Sequence, residues 1–343
     1  MIEHVLEELK TQPFKYFEQD KIMTLEQVHV YRGLYWDTYK YKVSFPDTVN
    51  YIYLKVNTEV ENYAGATKRS DFQQQVMDSY TNLQRLYEGF RPFSGYSVIK
   101  PIACFPEWLT LVTEESPGTD VWSIIREKAK FYPSATDVKE LENICQSCGK
   151  WLTLFQQITR TPEQDPYDLS TIIELFDSYL SKLVNHPNGM FPGEYQEQVI
   201  DFCRQLVLSI PDDDRVVSGI HGDFAPVNIL IQNGEITVLD LETPKYGLMY
   251  WDSTYFHYHL STLLEIPIYR PATVAKLQQA FVHGFGTPLD PSKPAVTLCM
   301  IHNVIQSLLY LAEHRQNVNW YRKLYDSILY RKHIQWLQNT CRF

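Results

Sequence analysis

One short stretch of the chain, residues 218–242, holds three side chains whose types suit phosphate chemistry. Asp223 follows the His221-Gly222 pair, Asn228 comes five residues later, and Asp240 lies near the end of the stretch. A carboxylate can accept the proton of an attacking hydroxyl, and carboxylate and amide oxygens bind Mg²⁺. The stretch is therefore a candidate for a site that moves a phosphoryl group.

A predicted tight turn brings two of these residues together. Asn233-Gly234 lies between two β-branched apolar runs, and both residues tolerate the positive φ that a two-residue hairpin turn needs. Folding about this turn pairs Asn228 with Leu239 at the open end of the hairpin. Asn228 and Asp240 are therefore predicted to lie side by side, at the roughly 5 Å Cβ spacing of cross-strand neighbours.

Two oxygen ligands at one point suit Mg²⁺, which takes one or two carboxylates and completes its octahedron with water and substrate phosphates. Asn228 and Asp240 are the predicted metal ligands. Asp223 lies on the loop that enters the hairpin, near enough to act as a base on a hydroxyl held beside the metal.

Strands and one helix are predicted to support this site in the first hundred residues or so. Alternating apolar residues on both sides of residues 32–37, and again at 51–56, predict three strands. Helical spacing follows over residues 72–87, and two more strands are predicted at 97–102 and 109–113. The order is therefore three strands, a helix and two strands.

The remainder of the chain is predicted to be mostly helical. The length of 343 residues exceeds what one core usually supports, so two lobes with a ligand-binding cleft are expected. Glu115-Ser116-Pro117-Gly118 is a break that suits a hinge, which gives an N-terminal lobe at 1–114 and a C-terminal lobe at 115–343. Beyond a helical stripe from Val138 to Phe155, helices are predicted at about 168–187, 194–209, 252–264, 273–286, 295–315 and 319–338.

The catalytic stretch resembles a known family. His221-Gly222-Asp223, then Asn228, then Asp240 in Val238-Leu239-Asp240-Leu241-Glu242 is similar to the catalytic and metal-binding segments of the aminoglycoside phosphotransferase-like kinases. That group includes choline, fructosamine, homoserine and methylthioribose kinases. The resemblance implies an α+β, bilobal protein-kinase-like fold, with a small N-terminal lobe of antiparallel sheet plus one helix and a larger, mainly helical C-terminal lobe. It further implies ATP and Mg²⁺ as cofactors, Asp223 as catalytic base, Asn228 and Asp240 as Mg²⁺ ligands, and Asp252 as a brace for the catalytic loop.

The resemblance also implies a nucleotide-binding side. Lys55 on the third predicted strand sits where kinase-like folds place the lysine that contacts the ATP phosphates. The loop with Gly33 would cover the phosphates, although a plain hairpin is the alternative reading of that loop. Backbone groups of residues 113–116, which include Thr113 and Glu115, would hold the adenine.

One position departs from the kinase pattern. Kinase-like folds pair the strand lysine with a glutamate on the next helix, yet residues 72–87 contain no glutamate. Asp78 is the nearest acidic candidate to pair with Lys55, and Gln75 is a second candidate. Helical spacing puts the family's position nearer Ser79, so a surface role for Asp78 stays open.

Composition narrows the classes of partner. The formal charge of -10 argues against nucleic-acid binding and suits cationic or neutral small molecules. Six cysteines are too few for a disulfide framework, and the acidic N-terminus lacks a secretory pattern, so a reducing, cytoplasmic location is expected. Residues 295–312 carry no Asp, Glu, Lys or Arg, but His302 and Asn303 favour a buried helix over a membrane span.

Three readings compete with a small-molecule kinase. A protein kinase is disfavoured because Ala225 stands where Ser/Thr protein kinases carry a lysine, and Leu241-Glu242 replaces their Phe-Gly. A pseudokinase scaffold would bind nucleotide without phosphotransfer, and a metal-dependent phosphoesterase would act without ATP. The acceptor stays open among aminoglycosides, sugars and amino alcohols, cationic or not, and so does the oligomeric state.

Overall fold

The computed structural model describes residues 2–22, 24–33, 36–58, 69–160, 169–187, 191–241, 245–314 and 320–342, without the side chains of 320–322. The chain forms two compact units. The first unit comprises Met1–Ile124 and Val227–Lys245, and the second comprises Ile125–Pro226 and Tyr246–Phe343. The predicted boundary between residues 114 and 115 lies before the division after Ile124. The prediction placed the hairpin around Asn233-Gly234 in the second lobe, whereas this hairpin belongs to the first unit.

The first unit is built on two sheets. Its strands are β1 Thr24–Arg32, β2 Trp36–Ser44, β3 Val49–Asn57, β4 Tyr96–Val98, β5 Pro101–Phe105, β6 Thr110–Glu114, β7 Thr119–Asp120, β9 Ile229–Gln232 and β10 Glu235–Val238. An antiparallel sheet has the order β1-β2-β3-β6-β5, and a second sheet has the order β4-β10-β9-β7. The short strands β8 Val217–Ile220 and β11 Lys245–Leu248 pair with each other.

Helices cover both faces of the larger sheet. The helices of the first unit are α1 Ile2–Thr11, α2 Pro13–Phe17 and α3 Arg69–Phe90. Val5 and Leu9 of α1 pack with Ile52 and Leu54 of β3, which gives one face an apolar core. Phe72 and Val76 of α3 pack with residues of β6 and the turn before it on the other side. Leu111 of β6 belongs to this second cluster and Val112 belongs to the first, so successive side chains along β6 serve two separate layers.

The second unit is mainly helical. Helix α4 Val121–Lys128 leads into it, and its other helices are α5 Ala135–Thr159, α6 Ser170–Asn185, α7 Gly193–Ser209, α8 Tyr250–Thr262, α9 Pro271–Phe285, α10 Pro294–His314 and α11 Trp320–Cys341. Apolar residues of α6, α7, α10 and α11 share one large core cluster.

Helix α10 alone, among the described residues, is long and apolar enough to cross a membrane by length and composition. In its most apolar window 67% is buried inside the protein, which is the usual state of a core helix. His302 and Asn303 lie within this buried part, as the sequence predicted.

The predicted element types hold with one exception. Residues 97–102 do not form one strand, because β4 pairs with β10 and β5 pairs with β6 in a different sheet. Pro101 has no N–H to continue a ladder, so the chain changes sheets at this point. The sequence patterns missed six short elements, the helices α1, α2 and α4 and the strands β7, β8 and β11.

Candidate active site

The hairpin at the centre of the site has the predicted turn. Asn233 and Gly234 take φ of 51° and 83°, the left-handed pair that closes a two-residue hairpin. Gln232 then opposes Glu235 in the register of β9 and β10. At the open end the Leu239 N–H donates to the Asn228 carbonyl at 2.9 Å, so the predicted pairing of Asn228 with Leu239 is confirmed.

Asp240 leaves the hairpin in an unusual backbone conformation. Its φ is 58°, in the left-handed region that aspartate tolerates better than most residues. The carboxylate of Asp240 forms an ion pair with the Lys55 ammonium, and both residues belong to the first unit. Lys55 lies on β3 between Thr38 of β2 and Leu111 of β6. The fold thus brings the predicted phosphate lysine to the predicted metal ligand.

A buried amide holds the chain just beyond Asp240. The Asn82 side chain on α3 donates to the Leu241 carbonyl at 2.9 Å. The sequence reasoning did not find this residue. Its signal was present, since Asn82 adjoins Leu83 on the buried side of a periodic helix, and a buried amide needs partners. Glu242, part of the resemblance, lies outside the described residues.

Lys55 and Asp78 are not brought together. Asp78 is exposed, and its carboxylate accepts a hydrogen bond from Gln74 at 2.8 Å on the same helix. The buried position of this turn is Ser79, whose hydroxyl donates to the Gln75 carbonyl at 2.7 Å. Asp78 is exposed and Ser79 is buried because successive residues of an α-helix point about 100° apart. In the structure Asp240 replaces Asp78 as the carboxylate beside Lys55.

The loop that carries Asp223 is fixed within the second unit. The Asp252 carboxylate on α8 is fully buried and accepts the N–H of His221 at 2.6 Å and the N–H of Gly222 at 2.9 Å. The Asp223 N–H in turn donates to the His221 ring Nδ1 at 3.2 Å. Phe224 packs between the rings of Trp151 and Phe256. The predicted bracing of this loop by Asp252 is confirmed.

Two aromatic residues of α8 lie beside Asp223. Burial, together with the charge of Asp223 and a hydrogen bond to it, raises the pKa of Tyr255 above its usual range. Burial lowers the pKa of His259 to about 4, and the nearby Asp223 charge opposes this shift. The Tyr255 and His259 rings meet edge to face at 4.6 Å. Asp223 therefore faces a neutral tyrosine and a neutral histidine at pH 7.

The predicted adenine-binding segment is only partly available. Glu115 accepts hydrogen bonds from Lys40 at 2.6 Å and Tyr53 at 3.0 Å, and its own N–H donates to the Tyr51 carbonyl. The Thr113 hydroxyl is buried and has no hydrogen-bond partner among the described residues. A buried hydroxyl left in this state can bind a polar ligand atom. Two backbone N–H groups of the predicted segment, those of Glu114 and Glu115, already donate to the Lys100 and Tyr51 carbonyls.

Thr113 and Lys55 lie on the same face of the sheet. Thr113 of β6 lies directly opposite Tyr53 of β3, and directly opposed residues share a face of the sheet. Tyr53 and Lys55 are alternate residues of one strand, so they also share that face. Gly33 lies in the loop between β1 and β2, where an added Cβ would come 2.3 Å from the Trp36 carbonyl oxygen. The loop is closed by an ion pair of Arg32 with Asp37, and its residues 34–35 lie outside the described residues.

Solved structures with the same fold belong to small-molecule kinases. A candidate aminoglycoside phosphotransferase from Ralstonia eutropha is 14% identical, with a TM-score of 0.61 and 98% of both chains covered. Choline kinase from Streptococcus pneumoniae is 14% identical, with a TM-score of 0.52 and 98% of this chain and 99% of its own covered. An aminoglycoside phosphotransferase in complex with streptomycin and ATP is 13% identical, with a TM-score of 0.53 and 97% and 95% covered.

These structures define the fold as the α+β, protein-kinase-like class that the sequence predicted. A sequence model described as the phosphotransferase enzyme family, APH, matches residues 72–288, more than half of the chain. The chain belongs to this family, in agreement with the predicted resemblance. No curated protein matches the sequence at a significant level.

Proposed function

We propose that this protein transfers the γ-phosphoryl group of ATP to a hydroxyl of a small molecule, in the presence of Mg²⁺. The observation that carries the proposal is the ion pair between Lys55 and Asp240 at the open end of the hairpin that contains Asn228. A phosphate-binding lysine, a carboxylate and an amide oxygen within one unit are the groups that phosphoryl transfer uses.

Asn228 and Asp240 fit Mg²⁺, because an amide oxygen and a carboxylate are hard oxygen donors. Mg²⁺ bound there would neutralise phosphate charge on ATP. Lys55 would contact the phosphate oxygens, and Thr113 would offer its buried hydroxyl to the nucleotide base. In support, a solved structure with this fold contains ATP, another contains AMP-PNP with Ca²⁺, and a third contains ADP.

Asp223 would act as the base. Its carboxylate takes the proton of the acceptor hydroxyl while the hydroxyl oxygen forms a bond to the γ-phosphorus. The bond between that phosphorus and the β,γ-bridging oxygen breaks, and ADP leaves with the electron pair. The hydrogen bonds from His221 and Gly222 to Asp252 fix the backbone of the loop that carries Asp223.

Label transfer tests the proposal. The protein is incubated with γ-labelled ATP, Mg²⁺ and a fractionated metabolite extract, and the labelled product is identified by mass spectrometry. Asp223→Asn should abolish the product. Asp201→Asn, which changes an exposed carboxylate of the same unit, should not affect formation of the labelled product. A labelled product that forms equally with Asp223→Asn would contradict the assignment of the base.

A pseudokinase-type nucleotide-binding scaffold is the second candidate. The observation in its favour is that residues 72–87 of α3 contain no glutamate that could pair with Lys55. A scaffold would bind nucleotide but release no ADP in response to any acceptor fraction. Acceptor-dependent ADP release therefore separates the two candidates.

A further inference from the structure

A cavity of about 260 Å³ lies within the second unit, on a face of α8 next to the one that meets Asp223. Helices α8, α10 and α11, the 3-10 turn at 263–265 and residues 289–291 enclose it. Thr254, His257 and Tyr258 line it from α8. Its volume is close to the lower end of small-molecule sites, at roughly 300 Å³.

The cavity carries no net charge at neutral pH. Among the described residues that line it, the one carboxylate, that of Glu265, forms an ion pair with the one ammonium group, that of Lys332. Burial lowers the pKa of His257 and lowers that of His333 to about 4, so both rings are neutral. A cation that entered would find no unpaired carboxylate among the described lining residues, which disfavours cationic ligands.

The walls combine apolar surface with a small number of polar atoms. Met300, Val304, Leu329 and Trp336 form the apolar part. The Tyr258 hydroxyl lies 2.7 Å from the His333 Nε2, so these two groups already satisfy each other.

The imidazole of His257 has no hydrogen-bond partner among the described residues, and in its neutral form it offers one donor and one acceptor. An apolar cavity with one open hydrogen-bonding group suits a ligand of matching polarity.

Helix α8 connects this cavity with the proposed base. Tyr255 is hydrogen-bonded to Asp223, and Tyr258, three residues further on, lines the cavity. Residues three apart are neighbours on a helix surface. Two aromatic side chains of α8, Tyr258 and Tyr255, therefore link a ligand in the cavity to the Asp223 carboxylate.

We propose that this cavity selects the phosphate acceptor, and that the acceptor is an uncharged molecule with an apolar body and a hydroxyl. The assignment of this ligand as an acceptor rests on the proposed function. The cavity thus disfavours polycationic aminoglycosides and quaternary amino alcohols, two classes that the sequence left open.

Binding without nucleotide tests the selectivity. Three probes are titrated by ligand-observed NMR: 2-phenylethanol, which is neutral, choline, which carries one positive charge, and kanamycin, which carries several. The full-length protein should bind 2-phenylethanol at least tenfold more tightly than either cation. Equal or tighter binding of choline or kanamycin would overturn the proposal.

Two variants locate the binding. Met300→Trp fills the cavity and should weaken 2-phenylethanol binding at least tenfold, whereas Met77→Trp on the exposed side of α3 should change it less than twofold. Lys332→Ala leaves Glu265 without its counter-charge and should tighten choline binding at least tenfold. Lys323→Ala removes an exposed lysine of the same helix and should not tighten choline binding.

The outcomes separate the two proposals. If Met300→Trp is folded but binds normally, or Lys332→Ala gains no affinity for choline, the cavity is not the selective site. The binding experiment contains no nucleotide, so its result does not depend on phosphoryl transfer. If the probes bind selectively but no extract fraction is phosphorylated, the proposed function is contradicted and the selectivity of the cavity is not.

Discussion

The Asp252 carboxylate accepts a 2.6 Å hydrogen bond from the backbone N–H of His221. A second bond at 2.9 Å comes from the backbone N–H of Gly222, which takes a φ of 82°. Hydrogen bonds to an ionised acceptor are stronger than neutral ones, and this acceptor is fully buried. The backbone before Asp223 is therefore fixed by a residue far along the chain.

Asp252→Ala should loosen this loop. Two backbone donors lose a buried charged acceptor, at a cost of about 2–5 kcal/mol in the free energy of unfolding. Phosphoryl transfer should fall more than tenfold, because the base is no longer held in place. Urea unfolding and ADP release measure the two effects, with the exposed Asp201→Ala as control. Unchanged activity in a folded Asp252→Ala protein would remove the bracing role.

Asp223 and Asp240 should respond differently to the same substitution. Asp223→Asn keeps shape but removes the proton acceptor, so Mg²⁺-ATP should bind normally while transfer falls by roughly 10² to 10⁴. Asp240→Asn removes the carboxylate assigned to Mg²⁺, so nucleotide affinity and transfer should both fall. Calorimetric titration of Mg²⁺-ATP and ADP release test both variants. If Asp223→Asn lost Mg²⁺-ATP binding and Asp240→Asn kept it, the base and metal-ligand roles assigned to the two aspartates would have to be exchanged.

The hairpin and its register were predictable because they depend on local chemistry. Asn233-Gly234 needs positive φ at two successive positions, and the strand period of two then fixes every pair back to Asn228 and Leu239. The same locality made the helices of the second unit predictable from their apolar spacing. Their ends agree with the predicted ones to within a few residues.

The partner of Lys55 was not predictable, since it depends on how distant elements meet. Lys55 and Asp240 are far apart in sequence, whereas the kinase pattern points only to the helix that follows Lys55. Asn82 was missed for a related reason. A polar residue on an apolar helix stripe signals a buried hydrogen bond but does not say that Leu241 accepts it.

Lys55→Ala should reduce transfer by several kcal/mol of transition-state stabilisation without unfolding the protein. Asp78→Asn should change neither activity nor stability noticeably, because its contact is with Gln74 at the surface. The double variant should then equal Lys55→Ala within about 0.5 kcal/mol. A larger coupling between positions 55 and 78 in ADP release would restore Asp78 as the functional partner.

Asn82→Ala should affect the segment after Asp240. The Leu241 carbonyl loses its amide donor in a buried position, which costs about 1–3 kcal/mol of stability. We expect weaker Mg²⁺-ATP binding, because the neighbouring Asp240 carboxylate is held less firmly. Gln74→Ala, on the exposed side of the same helix, is the control for calorimetry and thermal unfolding. Loss of stability with full nucleotide affinity would give Asn82 a purely structural role.

Acidification should destabilise the protein through buried histidines. The His302 ring packs against Trp251 at 3.9 Å, and burial lowers its pKa to about 4. In the unfolded chain the pKa of histidine is about 6.5, so between these values the unfolded state binds more protons and stability falls as pH falls. His302 should contribute about 2 kcal/mol to the loss between pH 7 and pH 5. Urea unfolding at both pH values should therefore show that the free energy of unfolding falls less in His302→Gln than in the wild type. The exposed His314→Gln should lose as much as the wild type. An equal loss in His302→Gln and wild type would mean that His302 does not cause the acid sensitivity.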